Sequence, residues 1–473
     1  MNHDTSARFV RGRVRESVPC CDAKAMTVRV ANLQKACGDA LQSHDYSAVF
    51  RSFDIDNKPM LIGAVGRLAG FRIRVSADRL TGTLDSGGET VDVMTVKPER
   101  PWDSLPFDEV FAMAGRLRQA LGRHLSPELT AVPVLGGIQS LILSDEPQVI
   151  ADYYLPEIVS WQNAERSLLF TAEGLPEIPP FEAEAEAAAV PEGTSCPMKA
   201  WENCPGREEY TRRMGPVLEA LRSGAMQKVV VARRVGIVPD PSFDSLDYAA
   251  FLYDRYFQEY FYMFRQGGSD TYLGISPEII MKMRGRRAVT KPLAGTRKKT
   301  DDEVLNRAVR EELTSTDKDI TEHEYALYFM ADGLKKAGIG DVRIDRSKTV
   351  LETPYAFHIK SEISMDLNSE ADCFDVIGAI YPPATIWGIP VAETEHLLAK
   401  TEPFARGYFT GVFGYWNFED EADTALVIRT ARLGEDGVSL YAGGGIVRDS
   451  DIEAEYDETV NKMRPLFGYF TGI

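Results

Sequence analysis

The sequence predicts an α+β fold in which large layered sheets, antiparallel or mixed, are flanked by helices. Three observations predict it. Strand-type alternation and helix-type apolar spacing both occur early in the chain, they stay interspersed to its end, and they lack the regular strand–helix–strand period of a barrel or a doubly wound sheet. With 473 residues, 44% of them apolar, the chain can bury a large core.

Residues 47–84 read as strands, with Phe71-Arg72-Ile73-Arg74-Val75 alternating between apolar and basic positions. Residues 107–124 follow with helical spacing at Val110, Met113, Leu117 and Leu121. Residues 177–198 are rich in Pro, Glu and Ala, including Glu182-Ala183-Glu184-Ala185-Glu186, and have no apolar face, so they read as a connector. It divides an N-terminal α+β region, residues 1–200, from residues 201–473. In the second part, residues 208–222 are spaced as a helix and 228–235 as a strand, and the two types go on alternating without an internal repeat.

A formal charge of −18 excludes general attraction to nucleic acid or anionic lipid, both of which need a basic face. No stretch approaches the roughly 20 apolar residues of a membrane helix. Cys20, Cys21, Cys37, Cys196, Cys204 and Cys373 form neither a CxxC pair nor a zinc spacing, so free thiols in a cytoplasmic protein are expected. Arg8, Arg11, Arg13 and Arg15 lack the apolar core of a secretory signal, and a frayed extension is expected there.

Four constellations carry possible chemistry. Asp319 with Glu322, and Glu455 with Glu458, are i, i+3 carboxylate pairs on two helices; facing each other they suit a hard cation such as Mg²⁺, and taken singly they also suit a solvated face. The run Ala442-Gly443-Gly444-Gly445-Ile446 follows a strand, where backbone N–H groups can meet a carboxylate or simply form a tight turn. Lys228 opens an apolar strand, Arg429 lies within Val427-Ile428-Arg429-Thr430, and Leu293-Ala294-Gly295-Thr296-Arg297 adds polar points. A lysine among valines is a candidate base or a snorkelling side chain, and a strand arginine can hold a carboxylate or face water. Glu278, in Gly274-Ile275-Ser276-Pro277-Glu278, is a candidate general acid or a turn glutamate.

The order of these motifs resembles the chorismate-utilising enzymes: anthranilate synthase large subunits, aminodeoxychorismate, isochorismate and salicylate synthases. The resemblance covers residues 208–470 and rests on Lys228-Val229-Val230-Val231-Ala232-Arg233, residues 274–278, 292–297, Glu322-His323, 385–390 and 442–462. It implies an N-terminal region woven into the same fold. It also implies one Mg²⁺ ion held by Glu322, Glu455 and Glu458, with the shorter Asp319, where glutamate is usual, acting through water. Chorismate is then met by Mg²⁺, Arg429, Lys462 and the N–H groups of Gly443 and Gly445, in a pocket that includes Leu293, Gly295, Thr296, His358, Thr385 and Phe409.

The resemblance implies that Lys228 deprotonates water and that Glu278 protonates the departing hydroxyl. Ala294, where aminodeoxychorismate synthases carry lysine, disfavours that branch. The segments 292–297, 313–323, 358–361 and 385–390 look like salicylate synthases, which add water and then eliminate pyruvate. Phe409 instead resembles the phenylalanine of isochorismate synthases, and Trp387 and Val391 match neither pattern. Salicylate synthase is the expected activity, with isochorismate synthase as the alternative. A further alternative is an ammonia-using subunit of the anthranilate or aminodeoxyisochorismate synthase type, served by a glutaminase partner, or a chorismate-binding protein without catalysis. No obligate glutaminase subunit is expected.

Overall fold

Alternation at residues 71–75 produces the strand Ala69–Ser76, with Phe71, Ile73 and Val75 buried and both arginines half-buried. The computed structural model describes residues 10–17, 44–53, 59–163, 166–175 and 195–472, apart from 258, 269 and 354–355. Within them such strands assemble into two twelve-stranded sheets in which every strand pairing is antiparallel. The first sheet runs from Gly12–Ser17 at one edge to Met198–Cys204 at the other, and the second from Leu293–Lys298 to Glu89–Val96.

Strands from before residue 200 are built into both sheets. Tyr46–Phe53 pairs with Tyr260–Gln266 in the first, and Val134–Ser140 with Gly407–Trp416 in the second. The main core fills the space between the sheets, where Phe264 stacks on Phe413 with ring centroids 3.8 Å apart.

Eight α-helices flank the sheets among the described residues: α1 (Phe107–Gly122), α2 (Arg207–Arg222), α3 (Ser245–Arg255), α4 (Glu303–Ser315), α5 (Asp317–Ala337), α6 (Cys373–Ile380), α7 (Val391–Thr401) and α8 (Ile452–Thr471). α1 buries Val110, Met113, Leu117 and Leu121, the residues its spacing selects. α5 covers the end of the second sheet formed by Leu293–Lys298 and Ala356–Leu367, while α8 packs on the Gly437–Ile446 strand of the first. Two helices bearing carboxylates thus approach the same region from different sheets.

Two expectations change. Residues 12–17 are not frayed: they pair with Ser167–Ala172 as an edge strand, because alternating arginines leave Val14 and the backbone free to join a sheet from one side. The glycine run is not a turn after a strand but the end of the strand Gly437–Ile446 itself, paired to Lys228–Pro239. Residues 1–9 with Arg8, the cysteines Cys20, Cys21 and Cys37, and residues 177–194 of the connector lie outside the described residues. Cys196, Cys204 and Cys373 are free thiols. No described helix is long and apolar enough to cross a membrane.

Candidate active site

Ladder pairing brings the distant motifs together. The Lys228–Pro239 strand lies against Gly437–Ile446, with Val230 opposite Gly445 and Ala232 opposite Gly443. Val230 N donates to Trp387 O (2.6 Å) and Ala232 N to Glu402 Oε1 (2.7 Å), so both turn away from the neighbouring strand. In an antiparallel ladder the opposed residues then also turn away, so the N–H and C=O groups of Gly443 and Gly445 point out of the ladder. Gly443 O accepts from Lys462 Nζ at 2.9 Å. The backbone groups expected of the glycine run are therefore offered by a strand.

These elements enclose a cavity of about 80 Å³. Its wall includes Glu278, Leu293, Gly295, Thr296, Glu322, His358, Thr385, Phe409, Arg429, Gly443, Glu458 and Lys462. Lys228 lies fully buried beneath it, with Nζ 3.0 Å from Glu322 Oε1. Gly445 makes that ion pair possible: a Cβ there would sit 2.4 Å from Glu322 Oε1 and 3.1 Å from Lys228 Cε. Gly445→Ala is expected to dislodge Glu322 and to cost about 1–3 kcal/mol, measured by chemical denaturation. Gly236→Ala on the same sheet, where a Cβ meets nothing within 4 Å, is the control that should stay near the parent.

Glu278 follows the Ser276-Pro277 corner, where Ser276 Oγ accepts from Glu278 N at 3.3 Å. Burial pushes its carboxyl up to about 8, against the opposing influence of the Thr385 hydroxyl, the Leu293 N–H and the Lys228 and Lys462 ammoniums. The Leu293 N–H lies 3.4 Å from Oε1, and the Thr385 hydroxyl is close but outside hydrogen-bonding geometry. At neutral pH this is a protonated acid on the cavity wall.

His358 and Arg429 stand together on one side of the cavity. Arg429 Nη2 lies 3.1 Å from His358 Nε2, and His358 Nδ1 lies 3.1 Å from Thr296 Oγ1. A guanidinium only donates, so Nε2 accepts and the proton of the neutral ring is assigned to Nδ1. Burial, aided by Lys462, lowers His358 to about 4. Lys462 itself is held above its ordinary value, because Glu458, 2.7 Å away, and Glu322 outweigh the cost of burial.

Fit to a divalent cation differs among the four carboxylates. Glu322 and Glu458 both line the cavity and offer the oxygen donors that Mg²⁺ takes. Asp319 does not face it: both its oxygens engage the Arg297 guanidinium, at 3.1 and 2.5 Å, since the shorter side chain stays within reach of that fork. Glu455 lies buried beneath Gly444, with Oε2 3.5 Å from the position of a Cβ there, while Glu322 approaches the adjacent Gly445. Neighbouring strand residues face opposite sides, so Glu455 and Glu322 approach the strand from opposite faces. Among the described residues no three acidic, His or Cys side chains converge as a metal cluster. Of the four, Glu322 and Glu458 are the two on the cavity wall.

Several contributors carry no sequence signal. Arg406 is buried and braces the site by donating to Ile386 O (3.0 Å), Val230 O (2.8 Å) and Glu402 Oε1 (2.6 Å). Glu259, 3% exposed, faces Arg429 from behind. Trp387, unmatched in sequence, is a packing residue: its indole N–H donates to Val391 O at 3.0 Å and its ring lies against Arg406, off the cavity wall. Phe409 does line the wall and stacks on Tyr441, with centroids 5.3 Å apart.

Residues 158–468 match the family model for chorismate binding enzymes. Anthranilate synthase component 1 of Pseudomonas putida is 30% identical over 269 residues, 55% of this chain and 52% of that protein. The corresponding protein of Streptomyces coelicolor is 27% identical over 373 residues, 75% and 71% of the two chains. The chain spans about half the length of the first of these relatives. The putative 2,3-dihydroxybenzoate-specific isochorismate synthase of Bacillus anthracis superposes with a TM-score of 0.67 at 18% identity, covering 93% of this chain and 100% of that one. The menaquinone-specific isochorismate synthase of Escherichia coli gives 0.67 at 18%, covering 98% and 95%. The fold implied by the motifs is the fold observed, the family model spans more than half of the sequence, and the chain belongs to the chorismate binding enzyme family.

Proposed function

We propose that the chain converts chorismate to salicylate, adding water to the ring and then eliminating pyruvate. The observation that carries this reading is the presence at one site of a buried lysine, Lys228, and a separate buried carboxyl, Glu278, that burial keeps protonated to about pH 8. Water attacks the ring carbon neighbouring the enolpyruvyl-bearing one and yields a proton to Lys228, which takes part in this step as the free amine and leaves it as the ammonium paired with Glu322. Glu278 protonates the hydroxyl that departs, as water, from the other side of the ring. Thr296, His358 and Arg429 hold carboxylate charge without competing for the proton, because His358 is neutral. Elimination of pyruvate then moves a ring hydrogen to the side chain within the substrate and needs a held conformation more than a further acid or base.

Glu322 and Glu458 are the residues that would hold Mg²⁺, which when bound supplies positive charge to neutralise and orient the ring carboxylate. EDTA, or Glu458→Gln, is expected to reduce turnover at least about 100-fold with the circular dichroism spectrum unchanged; full activity in EDTA removes the metal from the reading.

A second reading, release of isochorismate, is favoured by Phe409, which stacks on Tyr441 and offers the ring no hydroxyl. The anthranilate synthase relatives favour ammonia as nucleophile; Lys228 favours water and makes a glutaminase partner unnecessary. Chromatography of products formed from chorismate separates these readings. Salicylate is expected from the parent, with isochorismate accumulating in His358→Ala and Thr385→Ala as the ring and side chain are held less closely. An aminated product formed with ammonium salts, or isochorismate alone from the parent at long times, defeats the salicylate reading.

A further inference from the structure

Behind Arg429 stands a second buried acid. Glu259 lies between α3 and the Tyr260–Gln266 strand, with Oε2 3.7 Å from Arg429 Nη1, while Nη2 of the same guanidinium reaches His358 on the cavity wall. Arg429 is fixed there at φ 49, a left-handed conformation that a non-glycine residue keeps only where its surroundings enforce it. Arg51 ties down the Glu259 segment by donating to Tyr253 O, Tyr256 O and Glu259 O at 2.6, 2.7 and 3.3 Å.

Glu259 also lines an adjoining cavity of about 150 Å³, separated from the first by Pro277. Lys282, Lys291, Lys360, Glu352 and Tyr260 border that space. Tyr256 faces Glu259 from the end of α3, Arg51 from Tyr46–Phe53, and Glu278 shares the field of Arg429 from the far side. One guanidinium therefore stands between a resident carboxylate behind and the cavity in front.

We propose that Glu259 is the resident counter-ion of Arg429, and that an incoming carboxylate takes over that role while Glu259 takes up one proton from solvent. The proposal rests on reading Arg429 as the contact for the substrate's carboxylate. Two carboxylates sharing one buried arginine repel, and the one that can be protonated gives way. Burial already pushes Glu259 up to about 7, although Arg429 and Arg51 pull the other way, so the exchange falls near neutral pH. The sign follows: carboxylate affinity is highest where Glu259 is protonated and declines as rising pH ionises it. Glu259 is a positioning residue, acting on the ligand through Arg429.

Titration calorimetry of the intact chain tests this in two buffers of different ionisation heat, using chorismate in EDTA, so that no turnover intervenes, and benzoate as a simple ring carboxylate. The parent is expected to take up a fraction of a proton per ligand at about pH 7.5 and to bind about tenfold more weakly at about pH 8.5 than at about pH 6, within the usual range of coupling between sites. Glu259→Gln should abolish the uptake attributable to this site and remove the decline between about pH 6 and 7.5, leaving only the decline near pH 8 that ionisation of Glu278 imposes. Proton uptake with benzoate but no binding of chorismate, in EDTA and also with Mg²⁺ in the inactive Glu278→Gln variant, keeps this proposal and removes the substrate reading. Binding without uptake, uptake unchanged in Glu259→Gln, or failure of both carboxylates to bind overturns it.

Discussion

Replacing Glu278 by Gln is expected to lower chorismate turnover about 1,000-fold while making the protein more stable, not less, at pH 8.5 and above. The loss corresponds to roughly 4 kcal/mol of barrier, in the middle of the range for removal of a general acid. Stability moves the other way because the folded-state value of about 8 lies above the ordinary 4.5. Between those values the folded chain holds a proton that the unfolded chain has released, so its stability declines as the pH rises through the interval. Glutamine keeps the shape of the carboxyl and removes that decline. Parent turnover should likewise fall as the pH passes about 8, when the acid ionises. Thermal melts and rate profiles on both proteins check the pair of claims; a variant that keeps more than a tenth of parent activity removes the acid role from Glu278.

Lys228→Met is expected to stop water addition as completely and, unlike Glu278→Gln, to destabilise the fold. Methionine fills the volume but takes from Glu322 the Lys228 nitrogen that lay 3.0 Å away. Removing one member of a buried pair costs about 3–5 kcal/mol, much of it the penalty of the charge left behind, and the partial exposure of Glu322 places the expectation at or below the lower end. The double variant Lys228→Met with Glu322→Gln should recover most of that stability without recovering turnover. If stability and activity return together, Lys228 holds the site in shape and abstracts no proton; hydration by Lys228→Met within tenfold of the parent would falsify its role as the base.

The residues that the sequence brought forward share one property: their signal is local. Lys228 among valines, Glu278 after Pro277 and the glycines from 443 to 445 each announce a backbone or burial requirement within a few positions; the ladder between Lys228–Pro239 and Gly437–Ile446 then sets the glycines beside the lysine strand, and Glu278 joins them on the cavity wall from the Ser276-Pro277 corner. What was hidden depends on approach across the fold. Arg297 captures Asp319 because α5 packs over the Leu293–Lys298 strand, and no spacing foretells which of two cations a carboxylate will face. Glu259 and Arg406 sit in segments without periodicity, and their importance comes from burial beside Arg429 and Glu402. Edge strand Gly12–Ser17 was hidden for another reason: a one-sided pairing leaves its arginines looking like an unstructured tail.

The origin of the new ring oxygen tests the central claim most directly. In water enriched in ¹⁸O, with chorismate and Mg²⁺, water addition directed by Lys228 and Glu278 predicts salicylate whose phenolic oxygen carries the label, read as a mass increase of about two units, and predicts it in the parent but not in Lys228→Met. An unlabelled hydroxy product, or an amino group in place of the hydroxyl, would contradict the account.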